Sequence, residues 1–260
     1  MKTSETPVSN SHFSWSRIPM VARYYRPRLR MQMILYPIVS LAVFGIAAVA
    51  DSAGWSGTLA ASAFSWLSWL VVFAPLAFAA GGSDRRISAV LPVRGVEKCA
   101  FLLIYCFAVV PAIVYLPAKI AGYLYFGDPS MGAMVDPGYL RYGFTDMFVD
   151  TAQLLGMVSM LAQTATCLWI VVASSSRQAL RAVAGVLSLN MVLGMVTALA
   201  GIMYVVGNDD AAGQMSKEEF TSGLIGDMQS WMSHIIIPVM AIYAIFALWM
   251  ACRAVCRKQY

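Results

Sequence analysis

Long apolar runs alternate along the chain with short polar or basic segments. Six runs carry almost no charge: residues 33–50, 58–81, 99–124, 147–173, 182–206 and 231–252. A hydrocarbon core about 30 Å thick needs about 20 helical residues to cross it, and five of the six runs meet that length. The pattern therefore predicts an all-α polytopic membrane protein with six transmembrane helices.

The charged residues divide unevenly between the two faces that six spans create. Fifteen of the 18 Lys and Arg residues fall in 1–32, 82–98, 174–181 and 253–260, whereas ten of the 13 Asp and Glu residues fall in the opposite segments. Because basic loops stay in the cytoplasm, both termini are predicted to be cytoplasmic and the chain to lie in a bacterial cytoplasmic (inner) membrane. The net charge of +5 thus reflects orientation, and nucleic acid is not an expected partner.

The N-terminal region is polar at first and then amphipathic. Residues 1–11 are predicted to be a disordered cytoplasmic tail, and residues 12–260 a single membrane domain. Aromatic and aliphatic residues interleave with arginines over 13–30, which is typical of an interfacial amphipathic helix that contacts membrane lipids. Pro19 and Pro27 are expected to break or bend it.

Two later segments have local signals. The third span contains Pro111 and Pro117, which predict a kink, and Lys119 lies close enough to its outer end to reach the interface. Before the sixth span, a capping box and an apolar stripe predict a short amphipathic helix over 217–231 on the outer leaflet.

The cysteines form no recognisable framework. Cys99, Cys252 and Cys256 fall at cytoplasmic span ends, and Cys106 and Cys167 fall within spans. Because none lies in an outer loop, no structural disulfide is predicted. The i,i+4 pair on the last span has too few ligands for zinc.

Motifs for catalysis are missing from the sequence. It contains no G-x-x-x-x-G-K-[ST] phosphate loop, no H-E-x-x-H and no G-x-S-x-G, and its spans carry no chain of acidic residues of the kind that ion-driven carriers use. We therefore expect no cofactor, no metal and no enzymatic activity in this chain. Any ATPase activity would belong to a partner subunit.

Mildly polar side chains follow one side of the fourth and fifth spans. They are Gln153, Gln163 and Thr164 on the fourth span, and Asn190, Gly194, Thr197 and Gly201 on the fifth. Such stripes allow close helix packing with hydrogen bonds between helices. The alternative is a path for an amphiphilic substrate at a dimer seam.

The cytoplasmic segment 83–98 is longer than a simple connector needs to be. Ile87, Val90 and Leu91 recur at i, i+3 and i+4 after a basic start, and Pro92 then interrupts the helix before the third span. This pattern indicates a short interfacial helix. The alternative is a basic anchor that only fixes the orientation of the chain.

The Leu91-Pro92-Val93 sequence followed by Glu97-Lys98, together with the N-terminal helix and six spans, resembles the ABC-type export permeases of the type-two family. In particular it resembles the compact permease-like membrane proteins of Bacteroidetes. The resemblance implies that 83–98 is a coupling helix seated in a cleft of a separate P-loop ATPase. The residues implied in ATPase coupling are Asp84, Arg85, Arg86, Leu91, Pro92, Arg94, Glu97 and Lys98.

These observations lead to two functional hypotheses. The first is a membrane-spanning permease subunit of an ABC exporter-like complex, working as a homo- or heterodimer with its ATPase. The second is a non-transporting membrane scaffold or regulatory subunit, which the weakly polar spans also fit.

Overall fold

The computed structural model describes residues 13–52, 66–79, 94–126, 151–207 and 232–257. Within these ranges every regular element is helical. Five helical stretches are long and apolar enough to cross a membrane, and one further apolar helix is shorter. The prediction of a helical, polytopic membrane protein is confirmed at this level. The predicted tail 1–11, most of the 83–98 segment and the predicted helix 217–231 lie outside the described residues.

Seven helices carry the described fold. In chain order they are α1 (Ile18–Ser52), α2 (Trp66–Phe78), α3 (Gly95–Ile104), α4 (Val110–Phe126), α5 (Thr151–Ala173), α6 (Gln178–Gly207) and α7 (Ile237–Arg257). A 3-10 turn, Trp15–Arg17, leads into α1, and α2 ends in another, Ala74–Phe78. One π-helical turn, Tyr105–Val109, joins α3 to α4, and another, Met232–Ile236, precedes α7.

Contacts between helices show that the chain passes back and forth. The α1 residues Tyr25 and Gln32 meet Phe78 and Ala74 of α2 in reverse order, so these two helices are antiparallel. Helices α5 and α7 run in the same direction, because Thr166 pairs with Tyr243 and Trp169 with Phe246. Ser14 contacts Glu97 of α3, and Cys99 of α3 is bonded to Cys252 of α7, so the described residues nearest the two chain ends lie at one end of the bundle, called the basic end below.

Helix α1 is continuous through the prolines at which the sequence predicted a break or a bend. It begins at Ile18 and continues to Ser52 with Pro27 and Pro37 inside it. Pro19 falls in its first turn, where the missing N–H has no intrahelical partner to lose. Prolines inside membrane helices are tolerated because neighbouring groups satisfy the freed carbonyls.

The first half of α1 crosses α3 obliquely. Ser14 contacts Glu97 and Gln32 contacts Tyr105. At 1.5 Å per residue, the chain advances by about 27 Å from Ser14 to Gln32 and by about 12 Å from Glu97 to Tyr105, so α1 and α3 are not parallel. Helix α1 also packs along α4.

The predicted disturbance of the third span is located at the π-helical turn Tyr105–Val109. Pro111 lacks the N–H that would bond to the carbonyl of Phe107, and its ring crowds that carbonyl. A wider turn immediately before the proline accommodates this mismatch. Pro117 lies farther along, inside α4.

Helix α5 is the central element, and α6 is the peripheral one. Helix α5 packs against α2, α6 and α7, and its side chains from Ala162 to Leu168 are all buried. In contrast, α6 buries Gln178, Ala182 and Val186 near its start. Its described side chains from Met191 onward are exposed or half-buried.

Candidate functional site

The basic end of the bundle contains a fully buried carboxylate. Glu97 lies in the first turn of α3 with none of its surface exposed. The Ser14 N–H donates to Oε1 at 3.0 Å, and the Arg94 N–H donates to Oε2 at 3.0 Å. The Arg17 guanidinium lies 3.6 Å from Oε1. Oε1 therefore joins the residues that lead into α1 to the start of α3, and Oε2 closes the first turn of α3. We call these four residues the Glu97 anchor.

Local sequence explains why a charge is stable in this position. Arg94 is the N-cap of α3, and a Glu three residues later is placed to reach back to the N-cap amide. The first turn of a helix also favours negative charge through the helix dipole. Ser14 is the N-cap of the following 3-10 turn, so its N–H has no partner within that turn. Two hydrogen bonds and one ion pair thus offset the cost of burying Glu97.

The anchor changes how the predicted coupling residues are interpreted. Of that set, the structure describes Arg94, Glu97 and Lys98, and only Arg94 is exposed. The carboxylate of Glu97 binds groups of its own chain, so in this structure it is not available to a partner subunit. Lys98 is also buried. The remaining members lie outside the described residues: Asp84, Arg85, Arg86, Leu91 and Pro92.

A disulfide at the same end corrects the prediction that the chain has none. Cys99 of α3 is bonded to Cys252 of α7, with 5.5 Å between their Cα atoms. The prediction considered only cysteines in outer loops, whereas this bond joins two span ends separated by 153 positions in sequence. Cys106, Cys167 and Cys256 are free thiols. Only the packing of α3 against α7 reveals the pair.

Aromatic rings fill the space deeper in the bundle beside the anchor. The Tyr25 ring stacks on Phe101 with 5.9 Å between centroids and meets Phe78 edge-on at 5.1 Å. Phe78 also contacts Tyr105 at 5.5 Å. Offset-stacked and edge-on pairs are favoured geometries for aromatic rings. These contacts fix α1, α2 and α3 against one another.

Sequence reasoning missed a polar cluster in the same region. The Gln32 side-chain amide donates to the Tyr36 hydroxyl at 3.0 Å and to the Ala74 carbonyl at 3.1 Å, and it accepts from the Tyr105 hydroxyl at 2.9 Å. The i,i+4 spacing of Gln32 and Tyr36 is visible in the sequence. Its connection to α2 and α3 depends on tertiary contacts that the sequence does not show. We call this group the Gln32 cluster.

The polar residues of the fourth and fifth spans separate into an internal pair and an exposed region. Gln163 of α5 donates to Asn190 of α6 at 3.1 Å, so these amides bridge two helices of one chain. Thr164 is buried and donates to the carbonyl of Met160 in its own helix. Both observations agree with the packing interpretation of these stripes.

The later residues of the α6 stripe are on the outside. Gly194 is exposed, and a Cβ added there would meet nothing within 4 Å. The Thr197 hydroxyl donates to the carbonyls of Leu193 and Gly194 in its own helix. Gly201 belongs to α6 and Gln153 to α5, but their surroundings lie outside the described residues. A dimer seam along this part of α6 stays a prediction.

This arrangement favours a mechanical role over a catalytic one. Among the described residues, no three His, Cys, Asp or Glu side chains are grouped to hold a metal ion. The basic end instead collects covalent, ionic and aromatic connections between α1, α3 and α7. Such a region can transmit a displacement from one helix to another.

Comparison of the chain with protein-family models, with curated proteins and with solved structures gives no match in any of the three.

Proposed function

We propose that this chain is a membrane-spanning permease subunit of an ABC exporter-like complex in a bacterial inner membrane. A separate P-loop ATPase would dock on the cytoplasmic segment 83–98. The observation that carries the proposal is the Glu97 anchor at the end of this segment. Arg94 to Lys98, the described end of this segment, begin α3 and are attached to the residues that lead into α1.

The anchor supplies a route from the ATPase to the spans. A displacement of 83–98 reaches α3 directly and reaches the start of α1 through Ser14 and Arg17. The π-helical turn before α4 is a place where the third span can bend. Nucleotide acts on the spans only if the ATPase binds two conformations of them with different affinity.

The first half of α1 and the turn before it fit a position at the cytoplasmic membrane surface. Trp15 of the turn is exposed, as are Arg23, Arg26 and Arg30 of α1, whereas Val21 and Leu29 are buried against the bundle. Indole rings and guanidinium groups at head-group depth are typical of interfacial helices. In this proposal both termini are cytoplasmic, as the charge distribution predicts.

The exposed part of α6 is the candidate contact between two permease chains. Gly194 and Thr197 present a small surface there, and small residues let membrane helices approach closely. The dimer would be a homodimer or a heterodimer with a related chain.

The first experiment is purification of the tagged full-length chain from its native membranes in a gentle detergent, with partners identified by mass spectrometry. We expect a stoichiometric P-loop ATPase. Arg94→Glu should remove it, because Arg94 is exposed at the end of the docking segment. Arg181→Glu is the matched control, since Arg181 is another exposed arginine at the basic end, and it should retain the ATPase.

The alternative function is a non-transporting membrane scaffold or regulatory subunit. The Gln163–Asn190 pair favours it, because the polar groups of these spans are bonded to each other and not directed toward a passage. Recovery of the chain alone, or with partners that include no ATPase, would support this alternative and refute the permease.

A further inference from the structure

The five cysteines have three different situations in the fold. Cys99 and Cys252 are bonded to each other. Cys256 lies one helical turn beyond Cys252 and is a free, partly exposed thiol. Cys106 and Cys167 are free and buried. Cys256 is therefore a thiol beside the bonded pair that is not part of the bond, and it serves as an internal control.

The bond lies at the basic end of the bundle. Cys99 is two residues after the buried Glu97, and Arg253 follows Cys252 directly. The distribution of basic residues predicts that this end faces the cytoplasm. Cytoplasmic thiols are kept reduced, and disulfides that form there are usually transient. A bond in this place is thus expected to open and close with the thiol balance of the cell.

We propose that Cys99 and Cys252 are a reversible redox modification site, whose oxidised form links the start of α3 to the end of α7. Cys252 is partly exposed whereas Cys99 is buried, so Cys252 is the sulfur that small molecules reach first. The oxidant is a low-molecular-weight disulfide of the glutathione type. The site is independent of the permease proposal.

The reaction proceeds by two thiol–disulfide exchanges. The thiolate of Cys252 attacks glutathione disulfide, forms a mixed disulfide and releases one glutathione thiolate. The thiolate of Cys99 then attacks the Cys252 sulfur, which closes the protein bond and releases the second glutathione thiolate. Two protein thiols are oxidised, one glutathione disulfide is reduced to two thiols, and the two protons of the protein thiols pass to the leaving thiolates. Reduced glutathione reverses both steps.

The oxidised link restrains the element that also carries the Glu97 anchor. When the bond is closed, the start of α3 is connected covalently to α7 and non-covalently to Ser14 and Arg17. When it opens, only the non-covalent connections remain. The first turns of α3 therefore gain freedom to move in the reduced state.

The test equilibrates full-length protein in membranes with mixtures of reduced and oxidised glutathione. Free thiols are then trapped by alkylation, and peptides are analysed without reduction. We expect a peptide cross-linked through Cys99 and Cys252 whose fraction rises from near zero to near complete as the mixture becomes oxidising. Cys256→Ser should titrate like the natural sequence, and Cys252→Ser should give no cross-link.

Three outcomes would overturn the proposal. They are a cross-link absent from every mixture, a cross-link equally complete in every mixture, and a cross-link that joins Cys99 to Cys256. A second readout tests the restraint itself by hydrogen–deuterium exchange of the peptide covering Gly95–Ile104. We expect exchange to be roughly tenfold slower in the oxidised state, because the closed bond removes conformational freedom from the opened chain, and unaffected by glutathione in Cys99→Ser. Equal rates in the two states would refute the restraint.

Discussion

Replacing Glu97 tests whether the start of the chain is held by one buried carboxylate. In Glu97→Ala the amides of Ser14 and Arg94 lose their acceptor and Arg17 loses its ion-pair partner. Hydrogen bonds to a charged group contribute about 1.5–3 kcal/mol each. The Arg17 contribution is smaller, because its side chain keeps some contact with solvent and the separation is 3.6 Å.

The expected loss is therefore about 3–5 kcal/mol in the free energy of unfolding, the range found when one member of a buried charged group is removed. Glu97→Gln keeps an oxygen acceptor for one of the two amides, so we expect about 1–3 kcal/mol. The assay is reversible unfolding in mixed micelles, followed by circular dichroism. Hydrogen–deuterium exchange of the peptide that contains Ser14 should accelerate in both variants.

Arginine variants give the control for this prediction. Arg17→Gln should lower the stability by about 1 kcal/mol or less, since it removes only the partly screened ion pair. Arg23→Gln changes an exposed arginine on the same helix and should have no measurable effect. A Glu97→Ala variant as stable as Arg23→Gln, or one that leaves exchange at Ser14 unchanged, would refute the anchoring role.

Three further predictions concern the interior of the bundle. Gly185→Leu should destabilise by about 1 kcal/mol, the low end of overpacking costs, because the new side chain displaces only the end of the Ile170 side chain. Gly194→Leu should not alter the stability of the monomer, and equal effects on unfolding would contradict the assigned packing. In a double-mutant cycle, the effects of Gln163→Leu and Asn190→Leu on the free energy of unfolding should show a coupling energy of about 0.6 kcal/mol. A coupling energy of zero would refute the hydrogen bond between these two side chains. Ser40→Ala should be neutral or stabilising by about 1 kcal/mol, because the buried Ser40 hydroxyl has no hydrogen-bond partner in the described structure. A fall of more than about 1 kcal/mol in the free energy of unfolding would reveal a partner.

The helices could be predicted from the sequence because their signal is local. A run of about 20 apolar residues is costly to expose to water, and in lipid it forms a helix that satisfies all of its own backbone hydrogen bonds. Helices α5 and α6 therefore fall close to the predicted spans. At Pro27 the same local reasoning predicted a break or a bend, and α1 continues without a break. Packing of α1 against the bundle, which a local rule does not include, decides whether the helix continues.

The basic end could be predicted only in part. The permease resemblance implied that Arg94 and Glu97 couple to a partner subunit, whereas Glu97 binds groups of its own chain. The orientation of a side chain at the start of a helix depends on what the rest of the chain places beside it. Ser14 is 83 positions away from Glu97, and Cys252 is 153 positions away from Cys99. No single-sequence pattern encodes contacts of that range.

Helix α6 is about 45 Å long at 1.5 Å per residue, and α5 and its neighbours hold it mainly through its first turns. A bilayer core about 30 Å thick is shorter than this helix, and a helix that exceeds the core tilts, bends or extends beyond it. Because the described side chains from Met191 onward are exposed or half-buried, the angle of this half depends on what lies beside it, whether lipid or a second chain. The second half of α6 is therefore a place where bilayer thickness or a neighbouring chain can act on the bundle.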